Sequence, residues 1–85
     1  MKVETGTDAL DKSWQNPFTP TTKCTKCNAV ARIAFVAYED KEKEYVCNLH
    51  PNDPDRDGFW LHDACAVAVY FCTKCFEANV NWNQA

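Results

Sequence analysis

Eight side chains of this sequence have the chemistry to hold a metal: Cys24, Cys27, Cys47, Cys65, Cys72 and Cys75, with His50 and His62. They fall into four pairs of one spacing, Cys24-x2-Cys27, Cys47-x2-His50, His62-x2-Cys65 and Cys72-x2-Cys75. Two intervening residues make a tight knuckle that turns two ligand atoms onto one ion, at about 2.3 Å for sulfur and about 2.0 Å for nitrogen. Two knuckles close a tetrahedron, so four predict two structural Zn²⁺ ions. Thiolate with imidazole selects zinc over Ca²⁺ or Mg²⁺, which prefer oxygen. Filled by protein ligands, such sites leave no position for a reactive water. A framework of disulfides is the other reading of six cysteines in a small chain, and it leaves both histidines unexplained. One zinc with buried free cysteines, or iron in a cysteine-rich site, are further alternatives.

Three pairings of the knuckles are open. In sequential order, Cys24, Cys27, Cys47 and His50 bind one ion, and His62, Cys65, Cys72 and Cys75 the other. The nested order joins Cys24 and Cys27 to Cys72 and Cys75, leaving Cys47, His50, His62 and Cys65 together. The crossed order joins the first pair to the third and the second to the fourth. If Cys65 to Cys72 runs as one extended strand, its ends lie about 23 Å apart and cannot share an ion.

The elements that must position these knuckles read as mostly β. Residues 1–23 carry no sustained period and form an extended N-terminal arm, with Trp14 and Phe18 as its natural anchors. Residues 24–85 form the zinc-binding domain. Within it, residues 28–47 read as a β-hairpin: Ile33, Phe35 and Ala37 share one face, Arg32, Ala34, Val36 and Tyr38 the other, and Tyr45-Val46-Cys47 returns. The charged run 39–44 is a solvated hairpin tip. Residues 64–71, with Val67 and Val69 among small alanines, read as a buried strand, with a short helix as the alternative. Phe76, Ala78, Val80 and Trp82 alternate along a last strand, with Asn79, Asn81 and Asn83 on its other side. The tetrapeptide Cys-Thr-Lys-Cys occurs twice, at 24–27 and 72–75, each time before strand-like sequence.

Composition bounds the function. Eighty-five residues make one domain with a marginal core. A structural zinc contributes on the order of 10 kcal/mol of folding free energy, so metal is expected to organise the fold. No apolar run approaches the ~20 residues of a membrane helix. Met1 to Gly6 lacks the basic-then-apolar pattern of a signal peptide, so a reducing, cytoplasmic setting is expected. The net charge of -3, all of it within residues 51–63, disfavours general affinity for nucleic acid.

The stretch Cys24-Thr-Lys-Cys27-Asn-Ala-Val-Ala, a hairpin, then Tyr45-Val-Cys47-Asn-Leu-His50 resembles a small zinc-ribbon or treble-clef module of uncharacterised actinobacterial and phage proteins. It covers about a third of the chain. The resemblance implies that Cys24, Cys27, Cys47 and His50 share one zinc, favouring the sequential pairing. Trp60-Leu-His62-x2-Cys65 followed by Tyr70-Phe71-Cys72-x2-Cys75 is similar to the end of a PHD-type cross-brace finger, though only six residues separate Cys65 from Cys72.

Asp53-Pro-Asp55-Arg-Asp57-Gly58 matches the first six positions of an EF-hand loop. Position twelve, which needs a bidentate Glu, is Ala64. An acidic turn-rich loop is the preferred reading, and calcium is not expected. No His-x-Glu accompanies a Pro-Cys-x-x-Cys, and no Cys-x-x-Cys opens a helix in a βαβ unit, so an enzyme is not expected. The expected function is a zinc-stabilised protein-interaction module, a phage accessory or virion-associated protein in kind, docking through residues 1–23 by Trp14 and Phe18. The alternative is a nucleic-acid-binding zinc ribbon of transcription or replication machinery, using Lys23, Lys26, Arg32 and Lys74.

Overall fold

A computed structural model describes residues 2–13, 16–38 and 64–84. The described elements are five strands: β1 (Lys2–Thr5), β2 (Thr21–Lys23), β3 (Val30–Tyr38), β4 (Ala64–Cys72) and β5 (Ala78–Gln84). All join one antiparallel sheet in the order β1-β3-β4-β5, with β2 also paired to β3. β1 takes Phe35 to Tyr38 and β2 takes Val30 to Arg32, so the two lie end to end along one edge of β3.

Residues 2–5 and 21–23 are therefore sheet, which corrects the expectation of an arm standing apart. The chain between them crosses one face. Ala9 and Phe18 are buried there with Val36, Ala68 and Tyr70, and Leu10 packs against them. The Tyr70 hydroxyl donates to the Thr19 carbonyl at 2.8 Å, tying the crossing to the sheet centre. Phe18, expected as a partner anchor, is 8% exposed and belongs to the core. Its burial alone stabilises by about 2–3 kcal/mol. Short strands of four and three residues have too few positions to show a period, and they hold their shape by pairing with β3.

β3 also departs from simple alternation. Ile33 pairs with Tyr70 and Phe35 with Val69, so Ala34 is one residue too many. This bulge puts Ile33 and Phe35 on opposite faces, correcting the expectation that they share one. The Ala34 carbonyl accepts the Gly6 N–H at 2.8 Å, and the Ile33 N–H donates to Pro20 at 3.0 Å. The bulge thus fills the gap where the edge passes from β1 to β2.

β4 is the buried strand expected over 64–71, extended to Cys72. Ala66, Ala68, Tyr70 and Cys72 are each 2% exposed or less. Small alanines let the crossing chain lie close, while Tyr70 fills the volume. β5 begins at Ala78, two residues after the expected Phe76. Its Asn79, Asn81 and Asn83 face the crossing, where Asn83 donates to Ser13 Oγ at 2.7 Å and to the Asn16 carbonyl at 2.9 Å. The hairpin tip 39–44, the return Tyr45-Val46-Cys47, the acidic loop 51–63 and Trp14 lie outside the described residues.

Candidate metal centre

The two Cys-Thr-Lys-Cys segments form matching turns at the same end of the sheet. One runs from β2 into β3, the other from β4 into β5. Their backbones bond alike. The Asn28 N–H donates to the Cys24 carbonyl at 3.0 Å, and the Phe76 N–H to Cys72 at 3.2 Å. The Cys24 N–H donates to Ala29 at 2.8 Å, and the Cys72 N–H to Glu77 at 2.9 Å. Each lysine N–H points at the first sulfur of its own turn, Lys26 at Cys24 Sγ and Lys74 at Cys72 Sγ, both at 3.4 Å. The residue after each second cysteine takes a positive φ, 63° at Asn28 and 62° at Phe76.

This geometry brings Cys24, Cys27, Cys72 and Cys75 together, their Sγ atoms all within 4.8 Å of one another. Cys24 Sγ lies 3.7 Å from Cys75 Sγ, and Cys27 Sγ lies 3.5 Å from Cys72 Sγ. A tetrahedron with bonds of about 2.3 Å has edges of about 3.8 Å, so the four sulfurs fit a tetrathiolate metal centre. The four thiols are free, with Cys24 and Cys72 buried and Cys27 and Cys75 partly so.

The four clustered cysteines follow the nested order. Cys24 and Cys27 meet Cys72 and Cys75, in place of the Cys47 and His50 that the resemblance implied. The strand β4 supplies the reason. It keeps positions 65 and 72 on one extended segment, about 23 Å apart, so they cannot share an ion. Cys47, His50 and His62 lie outside the described residues, as do Asp53, Asp55 and Asp57; Cys65 is placed as a position in β4.

Electrostatics divide the thiols. The backbone hydrogen bond from Cys27 brings Cys24 down to about 6, against its burial, with help from the Lys26 N–H and the side chains of Asn79 and Cys72. The N–H groups of Cys75 and Lys74 lower Cys72 in the same way. At Cys75 the Glu77 N–H lowers the pKa, but burial and the sulfurs of Cys27, Cys72 and Cys24 outweigh it and push the thiol up to about 12. Crowded sulfurs cannot all ionise alone; a divalent cation among them reverses that, because it binds thiolate.

Three side chains outside the cysteines hold the two turns together, and sequence reading did not single them out. Asn79, 5% exposed, accepts both the Thr25 N–H at 2.9 Å and the Thr25 hydroxyl at 3.0 Å, while its Nδ2 donates to Glu77. Reciprocally, the Thr73 N–H and hydroxyl donate to the Val30 carbonyl at 3.1 and 2.8 Å. Each turn thus grips the start of the strand that leaves the other. The signal was the threonine at the second position of both repeats. Among the described residues no helix is long and apolar enough to cross a membrane. No family model, curated protein or solved structure matches the chain.

Proposed function

We propose that this protein is a non-enzymatic, zinc-stabilised interaction module of zinc-ribbon-like construction, working in a reducing compartment such as the cytoplasm. The four-sulfur cluster carries the reading: four thiols at tetrahedral spacing occupy every position a zinc ion offers, leaving none for substrate or water. The sheet then serves as a scaffold. Its face opposite the crossing carries Val3, Phe71, Val80 and Trp82 at about half exposure, and aromatic residues of this kind anchor partners. Lys26 of the first turn leans toward Glu77 at 3.7 Å, so one of the four cations the nucleic-acid reading needs faces an acid.

With one ion held by Cys24, Cys27, Cys72 and Cys75, the remaining Cys47, His50, His62 and Cys65 make a Cys2His2 set, and we assign them a second zinc on their spacing. Cobalt substitution with native mass spectrometry tests both assignments. Two metals per chain are expected, one with the visible bands and sulfur charge-transfer intensity of a tetrathiolate site. A spectrum showing an exchangeable water ligand at the four-cysteine centre would overturn the structural reading. A single metal would remove the second site.

A further inference from the structure

We propose that the four-cysteine centre has a second, covalent state, formed with hydrogen peroxide, in which Cys27 is bonded to Cys72 and Cys24 to Cys75. The inference rests on the zinc-centre reading and deepens it by naming the chemistry that regulates the site.

Two contacts decide the pairing. Cys27 Sγ lies 3.5 Å from Cys72 Sγ, and Cys24 Sγ lies 3.7 Å from Cys75 Sγ. Both run between the turns. A disulfide holds its sulfurs about 2.05 Å apart, so each pair has to close by roughly 1.5 Å. Each pair also joins unlike members, since Cys24 and Cys72 are buried and Cys27 and Cys75 only partly so. The more accessible sulfur of one turn therefore meets the oxidant first, and the buried sulfur of the other turn lies in place to resolve it. Bonds that involve no sulfur, Thr25 to Asn79 and Thr73 to Val30, keep the turns in register while the sulfurs change partners.

The Cys27 thiolate attacks one peroxide oxygen: an S–O bond forms, the O–O bond breaks and hydroxide leaves. The Cys72 thiolate then attacks the Cys27 sulfur, so that S–S forms, S–O breaks and a second hydroxide leaves. Two protons from solvent turn both hydroxides into water. The two sulfurs lose two electrons, and one peroxide becomes two waters. Cys75 and Cys24 react in the same way with a second peroxide. Thiolate is the form that holds a metal, so the ion is released as the bonds form. In a reducing compartment such bonds are transient and report an oxidant.

The consequence is particular to the crossed pairing. These bonds close the chain over 45 and 51 residues and join the same two turns that the metal joins. Crosslinks of this kind stabilise by restricting the unfolded chain. Bonds within each turn would leave the turns unjoined. The oxidised protein should therefore give up its metal and stay folded, whereas the reduced protein is expected to unfold when its metal is removed.

Lys26 and Lys74 stand between the two cysteines of each turn, so trypsin separates them. Zinc-loaded protein is treated with hydrogen peroxide, its remaining thiols are blocked, and the non-reduced digest is mapped by mass spectrometry. The fragment Cys24–Lys26 is expected on the fragment that begins at Cys75, and the fragment that begins at Cys27 on Cys72. Zinc should reach an indicator dye as the bonds form, and dithiothreitol with zinc should reverse both changes. In excess chelator the oxidised protein should keep its far-UV circular dichroism and its cooperative melt, and the reduced protein should lose them.

Linkage within the turns or to another cysteine overturns the proposal, as do four cysteines that resist peroxide or pass on to sulfinic acid. An oxidised, metal-free protein without a cooperative melt overturns it too. These outcomes leave the metal reading untouched. A protein isolated without metal at the four cysteines that still forms the crossed bonds would remove the metal reading and leave the pairing standing.

Discussion

The two cysteine turns have the same four residues and the same backbone bonds, yet they are not equivalent. The first is followed by Asn28, the second by Phe76, and both take the left-handed conformation. Asparagine adopts it at little cost, whereas an aromatic side chain there is strained by about 1–2 kcal/mol. Phe76 is moreover 80% exposed, so little packing offsets the strain. The first turn is locked by a buried side chain, Asn79, and the second by a main-chain carbonyl, that of Val30. The lesson is that the ligand spacing sets the local turn, while unrelated partners can hold it in place.

The largest effect should come from breaking either turn. Cys27→Ser or Cys75→Ser each leaves three thiolates, and because metal binding and folding are linked, each should lose the metal of this centre and most of the cooperative unfolding transition. Zinc stoichiometry and thermal melts check this, and an unchanged melt for one variant would show that its turn contributes little. Chelation of the wild type under reducing conditions should act likewise, with recovery on adding zinc.

Acid should separate the turns next. Cys24, lowered from 9.0 to about 6 in the folded chain, contributes stability that is present above pH 9 and lost as pH falls through 6. Cys75, raised to about 12 without metal, has the opposite sign: its contribution is full below pH 9 and lost as pH rises through 12. Zinc binds both as thiolates and so gives the loaded protein the first sign throughout. Its melting temperature should fall steadily from pH 8 to pH 5, with zinc released over the same range to an indicator dye. A melting temperature that rises on acidification would contradict the assignment.

Removing the locks is a smaller perturbation. Asn79→Ala leaves the Thr25 N–H and hydroxyl without their acceptor and should destabilise by about 1–3 kcal/mol. Thr73→Val removes only a hydroxyl, since the Thr73 N–H still reaches Val30, and should cost about 1 kcal/mol. Denaturant unfolding of the two variants side by side tests the order. Smallest, and of opposite sign, is Phe76→Asn, which should stabilise by about 1 kcal/mol by giving the second turn the residue the first already has. A loss of stability there would mean that Phe76 makes contacts that outweigh its strain.

The two cysteine turns were legible in the sequence because two intervening residues leave the chain one compact way to present two sulfurs. Which turn meets which was not, since that depends on strand register over long separations. Only the extended character of 65–72 bore on it, and it opposed the sequential order that the resemblance favoured. The first 23 residues misled for a different reason. Lys2–Thr5 and Thr21–Lys23 become strands by pairing with β3, and Ala9 and Phe18 become core by lying across Val36 and Tyr70. None of this leaves a local period. The start of β5 moved from Phe76 to Ala78 because the turn claims Phe76 for its left-handed residue.

The sulfurs that meet across the centre come from far apart in the chain, Cys27 and Cys72 being 45 residues distant. Closing a loop of that length costs about 3–4 kcal/mol in chain entropy beyond a fixed term, whereas each turn by itself offers an ion two sulfurs at no such cost. If zinc is the ion that the four cysteines hold, assembly becomes a race. At one zinc per centre, the ion bound first by either turn waits for the other to arrive. At high metal supply each turn captures its own ion, and the half-sites must discard one before the sheet can close. Refolding should consequently be fastest near stoichiometric zinc and slow when zinc is in excess, so that metal availability governs the rate of assembly as well as the stability of the product.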